Sequence, residues 1–185
     1  MEIKKASMKK VSIIILIYSF SLIAFSQSEQ WVYINDTVNN LTFNMPETPI
    51  YIDTLNTELY SCILSSTIGI EAHIYDSAMF NINDTVFNQI LLDEGNDTLR
   101  TIAKLILFAT KSDVTQITNI ETNGVSGIEL GFSYNSLASD EQMHSFIRYY
   151  LFENKFISFS VTGFKSEMLR SVNTKNSFFN SINFQ

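Results

Sequence analysis

The stretches QMHSFIRYYLF (142–152) and FISFSVTGF (156–164) decide the fold of this chain. Both are rich in aromatic and β-branched residues, and only three residues separate them, so they predict a β-hairpin. We place Asn154 and Lys155 in its turn, because asparagine tolerates the positive φ that a tight two-residue loop requires.

Alternation along the predicted hairpin divides its side chains between two faces. The expected register sets Tyr150 opposite Phe159 and Arg148 opposite Val161. One face is apolar enough to require burial, and it collects Phe146, Tyr150, Phe152, Ile157, Phe159 and Val161. The other face includes Ser145, Tyr149, Ser158, Ser160 and Thr162, so we expect it to meet either water or a second layer.

The first 26 residues have the pattern of an export signal. Lysines precede the apolar run Val11–Phe25, and Ala24 and Ser26 supply the small residues of a cleavage site. We expect a signal peptide at 1–26, a single domain at 27–185, and a periplasmic or secreted location. After cleavage no stable membrane span is expected, because the apolar run is short and belongs to the signal.

The chain is acidic, which limits its partners. Removing 1–26 takes away four lysines and one glutamate and changes the formal charge from −7 to −10. Such a surface repels phosphate backbones, so we expect no nucleic-acid partner. Cys62 is the only cysteine, which rules out an internal disulfide, and its apolar neighbours predict an inert, buried thiol.

The remaining sequence alternates β-rich and helical segments. Short strands are expected before Asp76, and helices from Asp84 to Gly95 and from Leu99 to Lys111. Two further strands then lead to the hairpin. A last helix is expected to be capped by Ser166, with Met168, Leu169, Val172 and Phe179 facing inward. This order predicts an α+β domain, an antiparallel sheet with helices packed on it.

Several of these segments together resemble the small exported domains of the PsbP and DcrB-like superfamily. The segments are FNMPETP (43–49), the mid-chain helical insertion, IRYYLFENKFISFSVTG (147–163) and SFFNSINF (177–184). The resemblance implies a PsbP-like sandwich with helices on both faces of a central antiparallel sheet. It also implies a role as an accessory or binding module, and it brings no site residues with it.

The candidate site residues lie on the predicted strands. His73, His144 and Glu71 could bind a transition metal if their strands were neighbours, but their spacing matches no ligand motif, and we expect no metal and no cofactor. Arg148, next to Tyr150 on the aromatic face, has two interpretations. It binds an anion or a partner in a cleft, or it pairs with a carboxylate such as Glu71 or Glu129; we favour the pair.

No nucleophile elbow and no phosphate-binding glycine loop occur in the sequence. We therefore expect a non-enzymatic exported domain that binds a protein partner or a small ligand. The alternatives are an acidic envelope inhibitor or immunity-type protein that covers a basic partner, and a small metal-dependent hydrolase.

Overall fold

The computed structural model describes residues 31–64, 67–80, 96–104, 107, 112–136 and 141–185. The predicted signal peptide and the predicted helix from Asp84 to Gly95 lie outside these residues. The two sheets and the C-terminal helix described below belong to one unit, Trp31–Gln185. No helix in the described residues combines the length and the hydrophobicity that a bilayer span requires.

The described residues contain ten strands in two antiparallel sheets. The larger sheet has the order β3-β4-β5-β9-β8-β7-β6, and the smaller has the order β1-β2-β10. The strands are β1 Val32–Asp36, β2 Leu41–Met45, β3 Ile50–Thr54, β4 Thr57–Leu64, β5 Ile68–Asp76, β6 Asp113–Thr122, β7 Val125–Asn135, β8 Gln142–Phe152, β9 Lys155–Phe164 and β10 Asn183–Phe184. Residues 96–104 and 107 are helical, and the C-terminal helix is Met168–Phe179. The predicted α+β class is confirmed.

Strands β8 and β9 form the predicted hairpin, but the predicted register is wrong by two residues. Tyr150 lies opposite Ile157, and Phe152 lies opposite Lys155. The turn residue with positive φ is Glu153, not Asn154. Lys155 belongs to the strand, where its ammonium contacts Asn39 Oδ1. A shift of two residues keeps every side chain on its predicted face.

The apolar face of the hairpin is the main core. The smaller sheet and the C-terminal helix cover it, and Phe43 of β2 packs its ring against Tyr60, Phe159 and Phe178 with centroid distances of 5.3 to 6.1 Å. These edge-on aromatic contacts join both sheets and the helix in one hydrophobic core. Cys62 lies in the same core, and burial together with Glu47 raises the pKa of its thiol to about 12.

The other face of the larger sheet also carries a second layer. Leu99, Ala103 and Leu107 pack against apolar side chains of β7, β8 and β9, namely Ile128, Leu130, Phe132, Tyr149, Leu151 and Phe156. Helices therefore lie on both faces of the sheet, as the resemblance implied.

The C-terminal helix departs from its prediction. It begins at Met168 after a 3₁₀ turn, and Ser166 does not cap it. Its buried residues are Ser171, Thr174, Phe178 and Phe179, whereas Leu169 is 85% exposed. The small side chain of Ser171 packs on Gly163 of β9. A residue larger than glycine at position 163 would not fit, because its side-chain carbon would lie 2.6 Å from Ser171 Oγ. Close packing thus overrides the apolar pattern.

Gly127 of β7 tests how closely β7 packs against Tyr149 and Tyr150 of β8. A side-chain carbon there would lie 2.5 Å from the Tyr149 carbonyl oxygen and 2.6 Å from the Tyr150 ring. We expect Gly127→Ala to lower the free energy of unfolding by about 2 kcal/mol, measured by urea denaturation. Gly69→Ala is the control, because its new carbon meets nothing closer than 3.9 Å. Equal effects of the two substitutions would contradict the packing described.

Candidate functional site

A cleft of about 340 Å³ lies between the start of the C-terminal helix and the β6 edge of the larger sheet. We call it the helix cleft. The helix contributes Met168 and Lys175 to its wall, and β8 contributes His144 and Phe146. The strands β6 and β7 contribute Gln116, Thr118, Ile120, Glu129 and Gly131.

The sequence of β6 and β7 explains why the sheet leaves space here. Gly131 pairs with Gln116 on one side and with Phe146 on the other. Alternation directs position 131 toward the helix, and a glycine there has no side chain to fill the gap. The register of β6 also shifts between Val114 and Gln116, and such a bulge bends the strand locally.

One carboxylate and two cations lie beside the cleft. Glu129 accepts hydrogen bonds from Arg148 Nε at 2.8 Å and from Lys175 Nζ at 2.9 Å. Burial favours the neutral form of Glu129, but the hydrogen bonds from Lys175 and Arg148 outweigh it, so the pKa of this carboxyl is lowered. Arg148 also lies over the Phe179 ring and donates to its carbonyl oxygen at the end of the helix.

His144 is the buried polar group of the cleft wall. Its Nδ1 atom lies 2.8 Å from Ser133 Oγ, and its ring meets Phe146 edge-on with centroids 4.5 Å apart. Its Nε2 atom has no hydrogen-bond partner among the described residues. Burial, aided by the positive charge of Lys165, lowers the pKa of His144, so the ring is neutral at pH 7.

The lowered pKa of His144 predicts a pH-dependent stability. Below the usual value of 6.5 the unfolded chain binds a proton that the folded chain does not. Stability is therefore full above pH 6.5 and falls as the pH drops toward the folded pKa, with a slope of at most about 1.4 kcal/mol per pH unit. Urea denaturation from pH 7.5 to 5 should show a shallower pH dependence for His144→Gln than for the unchanged protein. Identical slopes would contradict this prediction, since Glu71 and Glu129 titrate in both proteins.

The structure divides the sequence-predicted site residues between two faces. Arg148, Tyr150 and His144 face the C-terminal helix, whereas His73 and Glu71 lie on the opposite face of the sheet. Tyr150 is fully buried, and its hydroxyl pairs with Thr122 at 2.8 Å, away from the cleft wall. A shared metal site of the two histidines and Glu71 is therefore not formed. Within the described residues, no three His, Cys, Asp or Glu side chains are close enough to hold a metal ion.

Glu71 and His73 form a separate polar row. His73 Nε2 lies 3.2 Å from Glu71, and its Nδ1 atom lies 3.1 Å from the Tyr75 hydroxyl. The hydrogen bond from His73 lowers the pKa of Glu71 despite burial, which acts in the opposite direction. Glu71 also lines an open groove of about 400 Å³ together with Tyr134 and Met143.

Sequence reasoning anticipated part of the helix cleft and missed the rest. Glu129 was one of the two carboxylates considered as partners of Arg148, and the Arg148–Glu129 pair is observed. Lys175 and Gly131, which also line the cleft, are not predicted from the sequence. The only sequence signal for them was a glycine inside an otherwise apolar strand, which indicates a bulge or a close approach.

Solved structures show what this architecture is similar to. The solution structure of the cyanobacterial PsbP protein CyanoP from Synechocystis sp. PCC 6803 superimposes with a TM-score of 0.61. The two sequences are 13% identical, and the alignment covers 86% of this chain and 95% of CyanoP. The chain has a PsbP-like fold. The resemblance stated from the sequence is thereby confirmed at the level of the fold.

Other similarities to solved structures are weaker. LpqN of Mycobacterium tuberculosis, described as involved in cell envelope biogenesis, gives a TM-score of 0.38 at 10% identity, over 84% of this chain and 78% of LpqN. A protein of Bacteroides thetaiotaomicron VPI-5482 gives 0.46 at 10% identity, over 79% of this chain and 45% of that one. No protein-family model and no curated protein sequence matches the chain.

Proposed function

We propose that this protein is an exported, non-enzymatic binding domain that holds a small ligand in the helix cleft. The observation that carries the proposal is the buried His144 ring on the cleft wall, with an Nε2 atom that no described residue engages. Buried polar atoms in folded proteins almost always have a partner, so this atom is suited to meet a ligand. The proposed export rests on the signal pattern at 1–26.

The size and lining of the cleft support a small ligand. A volume of about 340 Å³ is at the lower end of the range for ligand sites, which is roughly 300 to 1,000 Å³. The wall combines the apolar side chains of Ile120, Phe146 and Met168 with five polar or charged side chains. Apolar surface together with placed polar groups is typical of small-molecule sites.

A substitution that fills the cleft tests the proposal. Gly131→Leu places a side chain into the space, so it should abolish the increase in Tm that a bound small molecule causes. The measurement is a thermal-shift screen of the purified protein against short-chain acids, alcohols, amines and sugars. We expect at least one compound class to raise the Tm of the unchanged protein and to leave that of Gly131→Leu unchanged.

Ser126→Leu is the matched control for this screen. Ser126 is an exposed residue of the same strand whose side chain points to the other face of the sheet. It adds the same leucine without entering the cleft. Retention of the full ligand effect in Gly131→Leu, or its loss in both variants, would contradict the helix cleft as the binding site.

A second candidate function is the acidic inhibitor that covers a basic protein partner. It is favoured by strand β3, an edge strand in which all five residues are exposed. Ile50 is 70% exposed, Leu55 in the following turn is 97% exposed, and Asp53 and Glu58 add negative charge beside them. An exposed edge with apolar side chains offers backbone groups to a partner strand.

Salt dependence separates the two candidates. A tagged form of the protein is used to recover partners from envelope and culture extracts at low and at moderate salt. A protein partner that is lost at moderate salt, and that Ile50→Lys also removes, would favour the inhibitor function. Small-molecule binding that is unaffected by Ile50→Lys would favour the helix cleft.

A further inference from the structure

Two buried polar atoms without a partner among the described residues lie between the C-terminal helix and the larger sheet. One is Nε2 of His144, and the other is Oγ of Ser171, which is fully buried. Gly163 is a neighbour of both residues. It pairs with His144 across the hairpin, and a side-chain carbon on it would lie 2.6 Å from Ser171 Oγ. Both side chains therefore adjoin Gly163, His144 across the hairpin and Ser171 from the helix.

Ser171 lies on the helix stripe that borders the cleft. Met168, Ser171 and Lys175 follow a spacing of three and four residues, which places them on one stripe of the helix. Met168 and Lys175 both line the helix cleft, and Ser171 lies between them. His144 therefore lines the cleft itself, and Ser171 lies directly behind its helix wall.

The charge beside the cleft favours an anion. Two cations, Arg148 and Lys175, share the single carboxylate of Glu129. The Lys175 ammonium also lies 5.0 Å from the centre of the Phe146 ring. This excess of positive charge in an otherwise acidic protein favours a negative ligand group near Lys175.

We propose that the helix cleft binds a small amphipathic monocarboxylate. Its carboxylate lies near Lys175 and accepts hydrogen bonds from Ser171 Oγ and His144 Nε2. The His144 ring is then the Nε2–H tautomer. Its apolar body packs against Ile120, Phe146 and Met168. A volume of about 340 Å³ corresponds to on the order of ten non-hydrogen atoms. This inference rests on the proposed function and adds the chemical class of the ligand.

Octanoate and 1-octanol form a matched pair of probes for this class, because they share the chain and differ in charge. Isothermal titration calorimetry on the purified protein should show octanoate binding at least tenfold more tightly than 1-octanol. Lys175→Met keeps the length of the side chain and should weaken octanoate at least tenfold without changing 1-octanol. Ser171→Ala, which preserves the packing on Gly163, should weaken octanoate severalfold.

Lys104→Met is the control for the loss of a lysine, because Lys104 is exposed in the helical segment on the other face. It should leave octanoate binding unchanged, and circular dichroism verifies that each variant is folded. Equal binding of both probes, or octanoate binding that Lys175→Met and Ser171→Ala leave intact, would overturn the carboxylate class. An absence of octanoate binding would overturn it as well.

The Gly131→Leu variant distinguishes a failure of the ligand class from a failure of the proposed function. Loss of the carboxylate preference while Gly131→Leu still abolishes binding overturns only the ligand class. Octanoate binding that persists in Gly131→Leu overturns both the class and the helix cleft as its site.

Discussion

Replacing Phe43 with alanine is expected to lower the free energy of unfolding by about 4 kcal/mol. Phe43 is fully buried, and its ring contacts one aromatic residue each on β4, β9 and the C-terminal helix. Its removal leaves a cavity where the two sheets and the helix meet, and three aromatic contacts are lost together. Urea denaturation followed by circular dichroism measures the change.

Tyr33→Ala is the control for this substitution. Tyr33 is an aromatic residue of the neighbouring strand β1, but its side chain is 63% exposed. We expect its replacement to change the stability by less than about 1 kcal/mol. A similarly small change for Phe43→Ala would contradict the packing of the smaller sheet on the larger one.

Glu129→Gln is expected to lower the free energy of unfolding by about 3 kcal/mol. The side chains of Arg148 and Lys175 are each 17% exposed, and that of Glu129 is 21% exposed. Glutamine keeps the shape but removes the negative charge, so two largely buried cations lose their counter-ion. The measurement is urea denaturation at pH 7.

Glu121→Gln removes the same charge from an exposed position on β6 and serves as the control. It should leave the stability almost unchanged, because exposed charges interact weakly.

The low pKa of Glu129 also predicts how the effect of Glu129→Gln on stability depends on pH. The stabilisation by Glu129 is present above the usual carboxyl pKa and is lost as the pH falls through the folded value, so the difference between Glu129→Gln and the unchanged protein should shrink in acid. A constant difference would argue against the ion pairs.

The fold was predictable where alternation of side chains determines it. Phe146, Tyr150 and Phe159 share the buried face that their spacing predicts, and the strands before Asp76 occur close to their expected positions. The register of the hairpin was not predictable, because contacts with residues far away in the sequence determine it. Glu153 accepts a hydrogen bond from Asn40, and Lys155 contacts Asn39.

The C-terminal helix shows why an apolar pattern can mislead. Leu169 was expected to face inward and is exposed, while Ser171 and Thr174 are buried. The helix approaches β9 closely at Gly163, where an added side-chain carbon would lie 2.6 Å from Ser171 Oγ. The size of the opposing residue, which the helix sequence does not contain, selects the buried face.

The site was predictable only in single residues. Arg148 was recognised because a guanidinium on an aromatic face needs a partner, and Glu129 was among the partners considered. The convergence of Lys175 and Gly131 on the cleft depends on how the helix lies across β6 to β9, a long-range feature. The binding roles of Arg148, Tyr150, His144, His73 and Glu71 remain predictions.

Methyl NMR of methionine-labelled protein shows whether a small ligand occupies the helix cleft. Met168 lines the helix cleft, while Met143 lines the open groove on the opposite face. On titration with the panel compound that raises the Tm most, we predict that the Met168 methyl resonance shifts and saturates while that of Met143 stays in place. A shift of the Met143 resonance without one of Met168 would show that the ligand does not bind in the helix cleft.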